Sequence, residues 1–258
     1  MRIVVKVGTS TLAHATGRLN IRHVEELVKV LSDLKNAGHE MILVSSGAIG
    51  MGVGKLNLPG RPTDMPTKQA AAAVGQCELM YTYDRLFTQY GHTVAQILLT
   101  GEDVDHEDRR CNFVNTMERL LQLGALPVVN ENDTVATAEI KVGDNDTLAA
   151  IVASSIGADL LVLLSDIDGL YTADPHKDPA ARLLPCVEQV TEEIEQLAGG
   201  AGSLLGTGGM ATKLRAAKRV TSGGCDMVIA NGEHPECLYA IVEGKSVGTR
   251  FLSRREER

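Results

Sequence analysis

Two lysines and a set of carboxylates carry most of the chemistry this sequence offers. Lys6 lies in IVVKVGTS, residues 3–10, with Ile3, Val4, Val5 and Val7 around it and Gly8-Thr9-Ser10 behind it. A lysine in a strand belongs on a solvated edge. Alternatively it ends a buried strand and points into a site beside a glycine turn. Lys213 lies in GTGGMATKLRAAK, residues 206–218, where a glycine-rich loop leads into a helix. Exposed N–H groups, the helix dipole and an ammonium group together suit a phosphate chain. The loop lacks G-x-x-x-x-G-K-[ST] and is not G-x-G-x-x-G after a strand, so taken alone it is a weak signal.

Carboxylates cluster in the middle of the chain. In VVNENDTV, residues 128–135, a strand runs straight into acid and amide side chains. Asp133 there suits a cationic partner, such as a substrate ammonium group or a metal; a solvated polar loop would read the same way. In KVGDNDTLAAIVA, residues 141–153, Asp144 or Asn145 makes an N-cap and Asp146 falls in the first helical turn. A second reading, compatible with capping, has Asn145 contacting a substrate carboxylate while Asp146 holds lysines in position. LVSSGAIGMG, residues 43–52, ends a strand at Ser45, and Ser46-Gly47-Ala48 opens a helix or a tight turn. Small residues there let backbone N–H groups approach an anion, although a plain strand-to-helix turn needs the same residues. A serine nucleophile elbow would need G-x-S-x-G, whose first glycine is missing. LLSDIDGLYTADP, residues 163–175, puts Ser165 and Asp166 at the end of a very apolar run; a nucleotide sugar or base fits along this loop.

The elements that must position these residues alternate. Apolar, β-branched runs at Ile3–Val7, Met41–Val44, Val94–Leu99, Leu126–Val129, Leu160–Leu164 and Met227–Ala230 predict strands. Helical patterns near Ile21–Ala37, Thr67–Tyr90, Glu107–Leu123, Asp144–Ile156 and Met210–Gly223 lie between them. Strands this apolar are buried on both faces, which predicts an α/β fold with a mostly parallel sheet covered by helices. Ligands then bind outside the carboxyl ends of the strands, where the polar residues named above collect. Two polar, glycine-rich segments interrupt the rhythm: Gly52–Met65, readable as a mobile lid, and Gly199–Gly209, which precedes a helix.

Composition narrows the function classes. The chain has 258 residues, enough for one large α/β domain or two small ones. A net charge of −8 and 3% aromatics disfavour nucleic-acid binding, by charge and by lack of stacking surfaces. No run has the length of a membrane span and no leader starts the chain, so a cytoplasmic protein is expected. Cys77, Cys111, Cys186, Cys225 and Cys237 are scattered and form no CxxC pair. They read as free thiols, mostly small core residues.

In combination these segments resemble the glutamate 5-kinases of the amino acid kinase family. The matching stretches are VVKVGTS at 4–10, VSSGAI at 44–49, VNENDTVATAEIKVGDND at 129–146, LLSDIDGLYTADP at 163–175 and GTGGMATK at 206–213. The resemblance reaches about Gly248-Thr249, and the NEND…KVGDND block discriminates best. It implies a three-layer α/β/α sandwich around a mainly parallel sheet. It also implies a single kinase domain over residues 1–258, with a glutamate-binding N-terminal part and a nucleotide-binding part from about 160. The implied reaction moves the γ-phosphoryl group of ATP, with Mg²⁺, to the side-chain carboxylate of L-glutamate, beginning proline synthesis. Proline feedback at or near the glutamate site, a homodimer or tetramer, and hand-off to a glutamate 5-phosphate reductase come with it. By resemblance, Lys6 stabilises the transferring phosphoryl group, Lys213 bridges toward the ATP phosphates and Asp146 orients both. Ser46, Gly47, Asp133 and Asn145 match glutamate-binding positions. Ser165, Asp166, Thr207, Gly208, Gly209, Met210, Ala211, Thr212 and Lys213, together with Lys6, match nucleotide-binding ones. No metal ligand from the protein is implied, Mg²⁺ being carried by ATP. Many bacterial members carry a C-terminal PUA-type domain, which is not expected here, and Ser165 stands where threonine is frequent.

Three other readings compete with this one. A sister kinase would act on N-acetylglutamate or aspartate. A nucleotide-binding regulator would have kept the fold and lost catalysis, against which the presence of Lys6, Lys213 and Asp146 argues. A Rossmann-type dehydrogenase would need the missing G-x-G-x-x-G after the first strand.

Overall fold

The central strand, β1 (Arg2–Val7), is hydrogen-bonded on both sides, to β2 (Glu40–Ser45) and to β5 (Leu160–Ser165). In this computed structural model, which describes residues 1–14, 18–136, 144–175, 177–199 and 209–253, the sheet has eight strands. β3 (Val94–Leu99) and β4 (Leu126–Glu131) lie beyond β2. β7 (Asp226–Asn231), β8 (Thr249–Phe251) and β6 (Cys186–Val187) lie beyond β5, giving the order β3-β4-β2-β1-β5-β7-β8-β6. Pairing is parallel except between β7 and β8. The six predicted strands are all present; β6 and β8, at two and three residues, are too short to leave a period in the sequence.

Strand alternation sorts the apolar residues into two layers. Ile3, Val5 and Val7 pack on one side, with α2 (Ile21–Asn36), α4 (Met65–Thr88) and α10 (Cys237–Val242). Val4 faces the other side, where α6 (Glu107–Gln122), α7 (Asn145–Ser155) and α9 (Met210–Ser222) lie. Lys6 shares the parity of Val4, so it points toward α7 and α9. This is a three-layer α/β/α sandwich, completed by the short α1 (Thr9–Leu12), α3 (Ala48–Lys55), α5 (Gly101–Asp105) and α8 (Glu192–Gly199).

Local chemistry sets the helix starts. Asp64, Asp144 and Asn20 each accept a backbone N–H with the side chain at the N-cap of α4, α7 and α2. Asp103 accepts from the Thr100 backbone N–H, closing a capping box at α5. Gly52 and Gly75 let α3 and α4 touch through their backbones. A Cβ on Gly52 would lie 1.8 Å from the Ala71 carbonyl oxygen, and one on Gly75 would lie 1.7 Å from that of Ala48.

Two expectations change. The segment Gly52–Met65 is not a lid from its start: Gly52–Lys55 forms the second half of α3, docked on α4. Its glycines hid the helix, because glycine is a poor helix former that is tolerated when packing demands it. The cysteines are free, as read, but Cys77, Cys111 and Cys186 are exposed and only Cys225 is buried. A scattered thiol carries no period that would fix its face. Among the described residues no helix is long and apolar enough to cross a membrane.

Candidate active site

From β1 the chain proceeds to β2 and β4 on one side and reaches β5 on the other. The strand order therefore reverses between β1 and β5, the place where open α/β sheets bind ligands. Lys6 sits there, one residue from the end of β1, aligned with Val44 of β2 and Leu163 of β5.

Asp146 is the hinge of the site. Asp144 caps α7, accepting from the Thr147 backbone N–H at 2.9 Å, and so fixes the first turn that carries Asp146. Asp146 Oδ1 lies 2.7 Å from Lys6 Nζ, and Oδ2 lies 2.9 Å from Lys213 Nζ. Thr212 Oγ1 is 3.2 Å from the same Oδ2. Asp146 is 1% exposed and Lys213 4%, and the Lys6 side chain is 12% exposed. Burial alone would raise the Asp146 pKa, but the charges of Lys6 and Lys213 outweigh it and hold the carboxyl below its ordinary range. One carboxylate thus assembles two ammonium groups from opposite ends of the chain. Its single negative charge is shared between the two ammonium groups.

The second cluster joins strand ends to helices on both faces. Asn145, the first residue of α7, donates from Nδ2 to the Ser45 carbonyl (3.1 Å), Ser46 Oγ (2.8 Å) and Asn130 Oδ1 (3.0 Å). Asn130 Nδ2 donates to Gln76 Oε1 at 3.0 Å, and Ser45 Oγ meets the Tyr83 hydroxyl at 2.8 Å, both partners coming from α4. Asn145 thus commits both protons of its amide to protein oxygens. In this orientation the acceptor Oδ1 is what remains for a ligand. Gly47 caps α3 in the left-handed region, φ 103°, which turns the chain just after Ser46. Asp133 lies in the turn after β4, half-buried, beside this cluster in sequence.

The nucleotide-side candidates divide. Ser165 ends β5 and donates its hydroxyl to Asp166 Oδ1 at 3.0 Å. Gly209 is the N-cap of α9, and Met210, Ala211, Thr212 and Lys213 form its first turn. Thr207 and Gly208 lie outside the described residues. Sequence reading placed Asn130 among the polar residues at the strand ends without a role of its own, and did not single out Gln76 and Tyr83. Gln76 and Tyr83 share buried positions of α4 with apolar neighbours, and only the polar character of Gln76 there could have marked it. Among the described residues no group of three or more His, Cys, Asp or Glu side chains is placed to hold a metal ion.

The Amino acid kinase family model matches residues 1–231. The chain belongs to the amino acid kinase family. Relatives named glutamate 5-kinase are similar over nearly the whole length. The one from Clostridium tetani is 57% identical over 96% of this chain and 93% of its own. That from Clostridium acetobutylicum is 54% identical over 99% and 96%. Among solved amino acid kinase folds, carbamate kinase from Giardia lamblia bound to AMP-PNP superposes with a TM-score of 0.71 at 15% identity, covering 98% of each chain. The product complex of T. acidophilum isopentenyl phosphate kinase gives 0.66 at 18%, covering 97% of this chain and 100% of the other. At these identities the structures speak for the fold.

Proposed function

We propose that this amino acid kinase transfers the γ-phosphoryl group of ATP to the side-chain carboxylate of L-glutamate, forming glutamate 5-phosphate and ADP, the first step of proline synthesis. The observation that carries the reading is Asp146 held between Lys6 and Lys213 at the sheet's switch point, in a chain more than half identical to glutamate 5-kinases.

The chemistry follows from charge. The acceptor carboxylate is ionised at neutral pH, so no general base is needed. One of its oxygens forms a bond to the γ-phosphorus while the bond from that phosphorus to the bridging oxygen breaks, and ADP leaves. Both reactants are anions, so the protein's task is alignment and positive charge. Lys6 neutralises charge on the transferring group, and Lys213 at the start of α9 serves the phosphates of ATP, with Ser165, Asp166 and residues 207–212 around the nucleotide. Asp146 keeps the two ammonium groups apart and aimed. Mg²⁺, carried in on the nucleotide's phosphates, would supply further countercharge.

The glutamate side uses Ser46, Gly47, Asp133 and Asn145. Asp133 and Asn145 Oδ1 are acceptors for the α-ammonium group. N-Acetylation would remove the positive charge that these acceptors are proposed to hold. The strands and helices up to about residue 160 serve glutamate and the rest serve the nucleotide, in a single kinase domain. Proline as a feedback inhibitor near the glutamate site, a dimer or tetramer, a cytoplasmic location and direct hand-off of the labile acyl phosphate to a reductase belong to the same proposal. ADP release from Mg·ATP, measured with L-glutamate, N-acetylglutamate and L-aspartate in turn, tests the substrate. Turnover with free glutamate is expected; preference for either other acid would move the protein to a sister activity.

A further inference from the structure

Four side-chain amides form a chain that runs from the edge of the sheet into the acceptor side of the site. Gln96 Oε1 lies 3.4 Å from Gln76 Nε2, Gln76 Oε1 accepts from Asn130 Nδ2, and Asn130 Oδ1 accepts from Asn145 Nδ2. An amide can be turned end for end, but this chain has a fixed terminus. The Ser45 carbonyl is a backbone acceptor, so Asn145 must present its nitrogen there. That makes Asn130 present its oxygen to Asn145 and therefore its nitrogen to α4. The atom Gln76 offers to Asn130 must then be an acceptor, and Oε1 is.

We propose that Gln76 is a positioning residue for the acceptor amino acid: it holds Asn130 in place as the second acceptor of Asn145, whose orientation the Ser45 carbonyl sets and whose Oδ1 is left to the substrate. Several features support this. Gln76 is 7% exposed and Asn130 3%, so no water competes freely for these groups. An amide on a buried helix face has no packing advantage over leucine or methionine. Asn145 Oδ1 accepts no hydrogen bond among the described residues, so orientation is what the chain supplies. Without the acceptor on Gln76, the buried Asn130 Nδ2 loses its partner, so Asn130 shifts and Asn145 keeps only the Ser45 carbonyl and Ser46 Oγ to hold it in place. The proposal rests on the reading of Asn145 as a glutamate contact.

The test is a steady-state comparison of two variants of the full chain. Gln76→Met keeps the length and removes the acceptor. It should raise KM for glutamate about tenfold, the scale of one buried hydrogen bond, with kcat and KM for ATP within about twofold of wild type. Gln76→Glu keeps an acceptor toward Asn130, and the exposed Gln96 amide can turn to donate to the new carboxylate. It should restore the KM for glutamate to within about threefold. An unchanged glutamate KM in Gln76→Met, an equal loss for both substrates, or a Gln76→Glu variant as impaired as Gln76→Met would overturn the proposal. If Gln76→Met does not fold, Gln76→Asn, one methylene shorter, withdraws the same acceptor and gives the same comparison. If the wild type instead prefers another acid, the substrate reading fails separately, and the same criteria apply to the KM of that acid.

Discussion

Lys6 Nζ and Asp146 Oδ1 stand 2.7 Å apart, one at the end of β1 and the other in the first turn of α7. The contact crosses from the sheet to the helical layer at the switch point and ties the first strand to α7. Its partner contact to Lys213 makes Asp146 responsible for the placement of both cations.

Asp146→Asn should therefore be damaging twice over. Two buried ammonium groups would lose their shared counter-ion, a change worth about 3–5 kcal/mol of stability. Turnover should fall by about 100-fold or more, as for loss of a preorganised electrostatic group. The ionised form of Asp146 stabilises the fold fully above its ordinary carboxyl value of 3.8 and loses that contribution as pH falls through the lower folded value. Denaturant unfolding from pH 6 to pH 3 should show this acid limb in wild type and its reduction in the variant.

Asp133→Ala should raise KM for glutamate by about tenfold or more, because a charged partner of the ammonium group is lost. KM for ATP should stay within about twofold. Initial-rate kinetics with each substrate varied separately decides it; a defect confined to ATP contradicts the assigned role.

His23 gives the stability a pH dependence of its own. It is 6% exposed, and its Nε2 has no hydrogen-bond partner among the described residues. Burial lowers its pKa below 6.5, and the nearby Glu26, Glu233 and Glu236 only partly oppose this. The folded state favours the neutral ring. Stability is thus fully present above pH 6.5 and falls as pH drops toward the folded value. His23→Leu should flatten the stability profile between pH 7 and 5, while His39, also lowered by burial, retains a smaller slope.

Gly75→Ala should destabilise by about 1–3 kcal/mol, since the new methyl meets the Ala48 carbonyl and backbone must move. The shift would carry α3, which begins beside Ser46, so glutamate turnover should fall as well. Gly60→Ala meets nothing within 4 Å and should be close to neutral. Paired urea melts measure both.

The sheet and the residues that meet at Asp146 were legible in the sequence because they carry local signals. Val4, Val5 and Val7 announce a doubly buried strand, and Lys6 is conspicuous against them. Asp144, Asn145 and Asp146 mark a helix start. The acceptor side was harder to read. Asn145 has a plain amide whose polarity depends on Ser45, Asn130 and Gln76, three residues from three other elements. No one-dimensional spacing encodes such a chain. The α3 helix was half legible for a related reason: Ser46-Gly47-Ala48 reads as the opening of a helix or a tight turn, but Gly52 and Gly54 read as a loop until Gly52 is seen packed on Ala71 of α4.

Trapping the product tests the central claim most directly. Mg·ATP, L-glutamate and hydroxylamine are incubated with wild type and with Lys6→Ala, and acyl hydroxamate is measured alongside far-UV circular dichroism. The account predicts glutamyl hydroxamate from wild type, none from N-acetylglutamate or L-aspartate, and a loss of about 1,000-fold in the folded Lys6→Ala variant. Hydroxamate from another acid alone, or near-normal turnover without Lys6, would contradict it.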